Sequence, residues 1–406
     1  MRFAIWLLGA CVDGRESTHG SPHAARSEAP VEELPGSDTP DGGDGGGDDG
    51  EDDVGDYESF FDPATLRDIH LYASEETIEA LNADGGTYMP GTFVHDGVEL
   101  EVGLRLKGQS SYRTFEKKPA LKVKFNEFVA GQRYAGLKRI ALNNLTGDPA
   151  QGREVAAYWV WRAGGMDVPS AALARVYVND EYFGLYALVE GMDDVWVERH
   201  YADASGVLWA GNDDADLTAL GIPHFAVQTS EGDAPLSLEQ VAAGIARTDA
   251  DFYTVASRVV DVEQYLDYVA WSSATGNTDG YPWHLDDFFV YGDPAEGGRL
   301  NFVPWGQDET WEETWTEWTG HAVIAQRCHE DLDCRTRIDD HTRAVLGVYE
   351  SMDVRGFLEA LFDLSEDATA TDGRREFTLE EVRAARALLL QSAETWPDRV
   401  RAEMEL

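Results

Sequence analysis

Positive charge is scarce in this sequence. Across 406 residues, 32 Lys and Arg stand against 76 Asp and Glu, a formal net charge of -44. Such a chain repels the phosphates of nucleic acids and the anionic surfaces of membranes, so we expect neither as a partner. Basic or metal-bridged partners are compatible with this charge. An acid-rich, halophilic host proteome would explain it equally well and would require no partner.

Long apolar runs are also missing, since no segment approaches the roughly 20 apolar residues of a membrane span. A shorter run opens the chain, MRFAIWLLGAC, and its last four residues resemble a bacterial lipobox ending at Cys11. We therefore predict that residues 1–11 are a lipoprotein signal and that a lipid on Cys11 is the sole link to a membrane. The run is short for a signal core, which is typically about 7–15 residues. The alternative is an apolar stub with a chance cysteine.

Cysteine is rare, with three residues in the whole chain. If Cys11 carries lipid, Cys328 and Cys334 remain as an even pair in the stretch CHEDLDC. A disulfide between them fits an exported protein in an oxidising compartment. A metal site is less consistent with the pattern, because no second pair of thiol ligands is nearby.

Apolar residues are sparse between positions 12 and 56, where Gly, Asp, Pro and Ser dominate. This stretch holds fourteen acidic residues against two arginines. It cannot bury enough apolar surface to offset the loss of chain entropy, so it predicts a disordered, self-repelling acidic linker. Calcium binding is an alternative, but the fixed spacing of an EF-hand loop is absent.

From Tyr57 onward the pattern is typical of a globular domain, which we expect to extend over 57–406. Apolar residues alternate at 69–73, 98–108, 119–125 and 138–144, as in strands, and recur at helical spacing at 152–165 and 261–277. Two hairpins are predicted, one turning at Asn179-Asp180 and one over 288–305. Helices dominate beyond about 336. The order predicts an α+β fold with a sheet-rich front lobe and a helix-rich rear lobe.

One group of residues in the front lobe could hold an anion. The small polar turn GQSS, with Ser110 and Ser111, leads to a strand preceded by Lys118. Small residues let backbone N–H groups approach a phosphate, and a lysine at a strand start can reach it. Glu154, in the first turn of a predicted helix, could orient that lysine. The simpler interpretation is a hairpin turn with solvated lysines, and the Walker A motif is absent.

Carboxylates follow predicted elements in the rear half. Asp279 follows a helix within GNTDGYPWHLDDFFVY, Asp287 precedes a buried strand, and Asp308 follows the next strand in PWGQDETW. Two carboxylates from successive loops can share a divalent cation, and magnesium prefers such oxygen ligands while leaving room for phosphate oxygens. A third carboxylate can orient a hydroxyl nucleophile. Each acid alone is also a common turn residue.

Together these segments resemble the spore coat protein H (CotH) kinase-like family over roughly residues 65–320. The resemblance rests on LRLKGQSSYRTFEKKPALKVKF, KRIALNN, GREVAAYWVWRAGGMDVPSAALARVYVNDEYFGLYALVEGMD, GNTDGYPWHLDDFFVY and NFVPWGQDET. It implies an atypical protein-kinase-like fold with two lobes, the use of ATP and of Mg²⁺ or Mn²⁺, and phosphorylation of Ser or Thr. The implied acceptor is a secreted or surface protein. The charge of this chain favours a basic acceptor, and transfer to Ser or Thr suggests a Ser-rich one.

The resemblance also implies roles for residues. Lys118 matches the lysine of the front lobe, Glu154 its pairing acid, and Asp279 the acid of the catalytic loop. Asp308 matches a metal ligand, and Asp287 stands where relatives usually have Asn. Glu190 would lie at the hinge, where it either contacts adenine or caps its strand.

The sequence departs from the family pattern in the same region. Besides Asp287, His284 and Asp286 stand where relatives tend to have Asn, and Gly306 replaces the first acid of the commoner PWDxD motif. Three functions are therefore compatible with the sequence: an exported or lipid-anchored kinase of a bacterial cell envelope, a catalytically inactive adhesin or surface scaffold, and a metal-dependent phosphoester hydrolase.

Overall fold

The computed structural model describes residues 53–229, 232, 234–312 and 320–406. Contacts divide the chain after Pro35, and all the described residues belong to the second unit, Gly36–Leu406. The predicted lipoprotein signal with Cys11, and the predicted linker up to residue 52, lie outside the described residues. The last residues of that linker are in regular structure, because Asp53–Val54 pairs with Arg133–Tyr134.

The strands of the described residues are numbered here in chain order. They are β1 (Asp53–Val54), β2 (Arg67–Tyr72), β3 (Met89–His95), β4 (Val98–Lys107), β5 (Ala120–Lys124), β6 (Arg133–Tyr134), β7 (Arg139–Asn143), β8 (Ala171–Val178), β9 (Glu181–Glu190), β10 (Val207–Gly211), β11 (Phe225–Val227), β12 (Phe288–Asp293) and β13 (Arg299–Pro304).

The α-helices are numbered in the same way, and the short 3-10 turns of the described residues lie at Ile222–His224, Pro294–Glu296 and Gln307–Glu309. The helices are α1 (Tyr57–Phe60), α2 (Glu75–Ala83), α3 (Arg153–Ala163), α4 (Asp194–His200), α5 (Leu238–Ile245), α6 (Phe252–Ala256), α7 (Val262–Thr275), α8 (Val323–Glu330), α9 (Leu332–Ser351), α10 (Val354–Thr371) and α11 (Leu379–Met404).

Seven strands of the front half close into a barrel in the order β2-β3-β4-β5-β7-β9-β8. Most neighbours are antiparallel, and the barrel is closed by parallel pairing of β2 with β8. Alternating residues point inward because successive side chains of a strand face opposite sides. Leu106, Leu121 and Leu142 belong to the buried cluster of the barrel interior.

The outer side of the barrel packs against α3. Helix α3 begins where the buried Asp148 accepts hydrogen bonds from the backbone N–H of Gly152 at 2.6 Å and of Arg153 at 2.8 Å. These bonds satisfy donors that a helix start leaves unpaired. Its apolar residues join the second and larger core cluster, which includes residues of α7 and of the C-terminal helices.

A second sheet has the strand order β11-β10-β12-β13. Its hairpin β12–β13 packs near α7, and the Cα of Phe288 lies opposite that of Pro304. The residues just before β12 and just after β13 are therefore neighbours. Helices α8 to α11 follow, and the predicted disulfide between Cys328 and Cys334 is confirmed, joining α8 to α9.

The mixed α and β content and the predicted strands, hairpins and helices are confirmed by these elements. At the first hairpin turn Asn179 and Asp180 have φ values of 50° and 67°, the left-handed pair that a two-residue hairpin turn requires. The closure of the front sheet into a barrel was not predicted.

Candidate functional site

The turn that carries Asp279 begins where α7 ends. Gly276 adopts the left-handed conformation with φ 64° and caps the helix. The turn is anchored to the segment that contains Asp216, because the Tyr281 hydroxyl donates to the Asp216 carboxylate at 2.9 Å. Asp279 itself is half-buried, and its carboxylate lies 3.3 Å from Nδ1 of the exposed His284. An acid is thus presented at the rim of the protein with a histidine beside it.

Asp287 and Gly306 are neighbours at the open end of the β12–β13 hairpin. The Trp305 N–H donates to the Asp287 carbonyl oxygen at 3.0 Å. Gly306 has φ 56°, and a Cβ there would lie 2.2 Å from Oδ2 of Asp287. The carboxylate of Asp287 thus fills the space that a side chain at position 306 would need. These two departures from the family pattern are therefore sterically linked.

Asp308 lies on the next turn and faces the loop before α3. A Cβ added to Gly147 would be 2.8 Å from Oδ2 of Asp308. That loop also contains Asp148, which is anchored at the start of α3. Asp308, just after the β12–β13 hairpin, therefore lies against the loop that connects barrel strand β7 with α3.

Three side chains from the barrel and α3 complete this region. Asn143 donates to both carboxylate oxygens of Glu154, each at 2.8 Å. The Lys107 ammonium donates to Oδ1 of Asn143 and lies 5.5 Å from the centre of the Trp305 ring. Lys107 and Asn143 end β4 and β7, and each follows an inward leucine, so both point to the outer side. They place one cation beside the carboxylates.

The carboxylates of this region destabilise each other's charges. Burial, then the charge of Asp308, raises the pKa of Glu154 to about 7. Burial raises the pKa of Asp308 to about 6. The pKa of Asp287 is raised well above its usual range by burial and by Asp279, Asp286 and Asp308, while Lys107 opposes the shift. A bound cation would relieve this repulsion.

The donors present here fit a hard divalent cation such as Mg²⁺ or Mn²⁺. Asp287 and Asp308 are half-buried, and neither accepts a hydrogen bond from another side chain within the described residues. In that same part of the chain, no three His, Cys, Asp or Glu side chains are gathered around one point. Two carboxylates completed by phosphate and water oxygens are a common ligand set for magnesium.

Lys118 does not lie in this region, which corrects its predicted pairing with Glu154. Its buried ammonium donates to Asp372 at 2.7 Å and to the Leu185 carbonyl at 2.7 Å. Because Lys118 precedes β5, strand alternation does not determine its direction, and Asp372 reaches it from the loop after α10. Lys107 is the lysine that the structure brings to Glu154. The alternation of β4 was a signal that could have identified it.

The GQSS turn lies beside the acidic residues. The Asn144 amide donates to the Ser111 carbonyl at 2.9 Å, while Ser110 is exposed. Gln109, a residue of this turn that was not predicted to belong to the site, donates to Asp213 at 2.7 Å. Burial and a hydrogen bond to Asp213 raise the pKa of Asp286 to about 7. A chain of contacts therefore joins this turn to the Asp279–Asp287 segment.

Glu190 is hydrogen-bonded to three other groups of the protein. Its buried carboxylate accepts hydrogen bonds from the Tyr57 hydroxyl at 2.7 Å, the Ser170 N–H at 3.0 Å and Arg199 at 2.5 Å. These bonds hold the carboxylate within the protein at the end of β9, so the structure gives no support to its assignment to a cofactor site. It agrees with the alternative in which Glu190 secures the end of its strand.

A family model described as CotH kinase protein matches residues 104–352 of this chain. The matched segment contains Lys107, Glu154, Asp279, Asp287 and Asp308. The chain belongs to the CotH kinase protein family. The family resemblance inferred from the sequence motifs is therefore confirmed, and the acidic region described above lies within the CotH domain.

Among curated proteins, this CotH chain is 24% identical over 223 residues to the inner spore coat protein H of Bacillus subtilis (strain 168). The match covers 52% of this chain and 59% of that relative, less than two thirds of its length.

Two solved kinase structures align with this chain. The Helicobacter pylori proinflammatory kinase CtkA aligns over 70% of this chain and 90% of its own, with 8% identity and a TM-score of 0.28. A golgi casein kinase aligns over 84% and 76%, with 9% identity and a TM-score of 0.29. Scores this low carry no argument about the site. Among the described residues, no helix is long and apolar enough to span a membrane.

Proposed function

We propose that this CotH-family chain is an atypical two-lobed protein kinase that transfers the γ-phosphate of ATP to Ser or Thr. The observation that carries the proposal is the meeting of Lys107, held by Asn143 and Glu154, with the turns that bear Asp279, Asp287 and Asp308. Phosphoryl transfer requires positioning and charge neutralisation more than covalent help from the protein. The Lys107 ammonium, surrounded by carboxylates whose charges repel one another, supplies both requirements.

In this proposal each residue has a separate role in binding the nucleotide and the metal. Lys107 offers a compact positive charge to the nucleotide phosphates, and the Asn143–Glu154 pair keeps its ammonium in place. The backbone of the turn at Ser110 and Ser111 covers the phosphates. Asp287 and Asp308 would hold Mg²⁺ or Mn²⁺, which supplies charge neutralisation when bound.

Asp279 is the proposed acceptor of the proton from the incoming hydroxyl. Its half-buried carboxylate lies at the rim, where a protein side chain can approach, and hydrogen-bond reach is the first requirement for such a base. His284 on its outer side limits the directions in which the carboxylate can turn. Lys118 has a structural role in this proposal, and Glu190 has no contact with the nucleotide.

We also propose an acceptor and a location for this chain, from its family relationship and its net charge. We propose a basic, Ser-rich protein of a bacterial coat or cell surface, because the relative in Bacillus subtilis is a spore coat protein and this chain is strongly acidic. The chain would be secreted or held in the envelope by a lipid on Cys11.

The test is transfer of label from [γ-³²P]ATP to a basic, Ser-rich peptide with Mg²⁺ or Mn²⁺. We expect Lys107→Ala and Asp279→Asn each to reduce transfer by about 100-fold or more. Lys117→Ala is the matched control, because Lys117 is exposed and should leave transfer unchanged. Absence of transfer by the wild-type chain would overturn the proposed activity.

An inactive surface scaffold is the second candidate, favoured by the departures from the family pattern at 284–287 and at Gly306, where the carboxylate of Asp287 fills the space beside the glycine. It predicts no rise in Tm with ATP and Mn²⁺ and no transfer. A ligand that binds only the folded state at 100 times its Kd stabilises by about 2.7 kcal/mol, which a thermal shift readily detects. The hydrolase alternative instead predicts turnover of simple phosphoesters without an acceptor protein.

A further inference from the structure

The GQSS turn, residues 108–111, leads into a segment, 112–118, that lies outside the helices and strands. Backbone outside regular structure has no ladder of hydrogen bonds, so other contacts must fix its conformation. Several of these contacts come from far along the chain, from the loop 372–377 between α10 and α11. This loop lies outside the segment 104–352 that matches the family model.

Arg113 joins the loop 372–377 to the GQSS turn. Its guanidinium donates to the carboxylate of Glu376 from Nε and, at 2.9 Å, from Nη2. The remaining nitrogen, Nη1, donates to the Ser110 carbonyl at 3.0 Å and to the Tyr112 carbonyl at 2.8 Å. A guanidinium is planar and rigid, so a carboxylate that binds two of its nitrogens also fixes the direction of the third. Glu376 therefore directs Arg113 toward Ser110.

The bond to Ser110 determines where the turn presents a backbone N–H. In a trans peptide the C=O and the following N–H point in opposite directions, because the unit is planar. Holding the Ser110 carbonyl against Arg113 therefore turns the N–H of Ser111 to the other side of the backbone. The Asn144 amide holds the next carbonyl, that of Ser111, at 2.9 Å. Protein donors thus hold both carbonyls, and an N–H that faces away from them is a donor suited to an anion.

The loop 372–377 has a defined position on the barrel. Arg374 donates to the Lys117 carbonyl at 2.7 Å and to the Phe115 carbonyl at 3.3 Å. The same guanidinium donates to Glu181 of β9 at 2.6 Å and lies 3.9 Å from the centre of the Phe183 ring. The loop therefore holds the end of the segment 112–118 as well as its beginning.

We propose that the loop 372–377 sets the affinity of this chain for ATP. Glu376 orients Arg113, and Arg113 holds the GQSS turn in the conformation that binds the phosphates. Both are positioning residues, since they act on the nucleotide through the backbone of the turn. The ligand in this inference rests on the proposed function, whereas the order of the turn does not.

Hydrogen exchange tests the order of the turn without any assay of activity. Glu376→Ala should raise the exchange rates of amides in residues 108–113 about fivefold, because the guanidinium loses the partner that orients it. Glu380→Ala is the matched control, since Glu380 is also exposed, lies four residues further on in α11 and carries the same charge. Equal exchange in the two variants would overturn the proposal.

Kinetics test the positioning role in the full-length chain. Glu376→Ala and Arg113→Ala should each raise the KM for ATP about fivefold with kcat within about twofold, because the turn binds substrate and transition state alike. A change of charge alone would have the opposite effect in Glu376→Ala, since removal of an acid favours an anionic ligand. The same two KM values in Glu380→Ala and wild type would exclude a general effect of charge.

The double variant tests whether Glu376 acts through Arg113. Arg113→Ala/Glu376→Ala should have about the same KM for ATP as Arg113→Ala, because the carboxylate no longer has a guanidinium to orient. Multiplicative losses would show that the two side chains act independently and would contradict the proposal. If Glu376→Ala does not fold, Glu376→Gln removes the charge while keeping the size of the side chain.

The measurements separate failure of this inference from failure of the proposed function. If the wild-type chain neither binds ATP nor transfers phosphate, the kinase proposal fails together with the role of the loop in ATP binding. The exchange data then still decide whether the loop orders the turn. Faster exchange in Glu376→Ala with an unchanged affinity for ATP, measured by calorimetry, would overturn the role of the loop and leave the kinase proposal intact.

Discussion

At the scale of single residues, Gly306 and Asp287 form one unit. A family position that commonly holds an acid is here a glycine, and the space beside it is filled by the carboxylate of Asp287. An acidic side chain at 306 and the present position of Asp287 are mutually exclusive, because the Cβ alone would lie 2.2 Å from Oδ2. The chain therefore retains an acid at this place from the opposite side of the hairpin.

We predict that Gly306→Ala displaces Asp287 and weakens binding of Mn²⁺ with ATP by about 10-fold or more, as expected for a change that moves a ligand. Gly297→Ala is the matched control. Gly297 also has a positive φ, 70°, but a Cβ there meets nothing within 4 Å. Both variants carry the strain of alanine in the left-handed region, so any difference in affinity, measured by calorimetry, reports the contact with Asp287. Equal affinities would show that Asp287 does not depend on Gly306.

Lys118 and Asp372 form a buried ion pair at the same scale. Removing one partner of such a pair typically costs about 3–5 kcal/mol, because the other charge stays buried. We predict this loss for Lys118→Met, measured by urea unfolding, and partial recovery in Lys118→Met/Asp372→Leu. The rise in Tm with ATP and Mn²⁺ should persist in both variants wherever they fold, since neither residue contacts the nucleotide. Loss of that rise in the folded double variant would return Lys118 to the site.

At the scale of elements, the alternation and helical spacing of apolar residues predicted most strands and helices, because both patterns depend on neighbouring residues alone. Barrel closure pairs Arg67–Leu71 with Ala174–Val178, more than a hundred residues apart, and no local pattern reports such a pairing. The positions of the acids were predictable for a related reason, since they lie directly before or after recognisable elements. The lysine was assigned to residue 118, which lies outside the alternating part of its strand, although the alternation of β4 directs Lys107 to the outer side of the barrel.

Helix α3 links the pH dependence of stability to the site through Glu154. Its pKa is raised from 4.5 to about 7, so the folded state binds more protons than the unfolded state between these values. Stability is therefore highest below pH 4.5 on account of this group and is lost as pH rises through 7. We predict that Tm falls by about 2–5 °C more between pH 5 and 8 in wild type than in Glu154→Gln.

Calorimetry at both pH values measures this difference. Glu79→Gln on α2 is the control, because it removes an exposed negative charge and should leave the wild-type slope intact. Mg²⁺ should raise the Tm more at pH 8 than at pH 5, since protons and the cation neutralise the same carboxylates. If Tm changed with pH identically in wild type and Glu154→Gln, this would contradict the burial of Glu154 and the raised pKa of its carboxyl.

At the scale of the whole molecule, the negative charge acts oppositely on the two proposed substrates. Of the net charge of -44, the stretch 12–56 contributes -12 and residues 1–11 contribute +1, which leaves -33 on residues 57–406. The field of the globular part therefore attracts a basic acceptor and repels ATP. Salt screens such interactions beyond about 8 Å at an ionic strength of 0.15 M.

We predict that raising NaCl from 50 to 300 mM, which shortens the screening length about 2.5-fold, increases the KM for a basic, Ser-rich peptide severalfold. Over the same range the KM for ATP should stay constant or fall, because its repulsion is screened. A peptide in which Glu replaces the basic residues should be a poor acceptor at every concentration. The different responses of the two KM values distinguish electrostatic recruitment of the peptide from a general effect of salt on the fold. A general effect would change both KM values in the same direction. Parallel changes in the two KM values would contradict selection of the acceptor by charge.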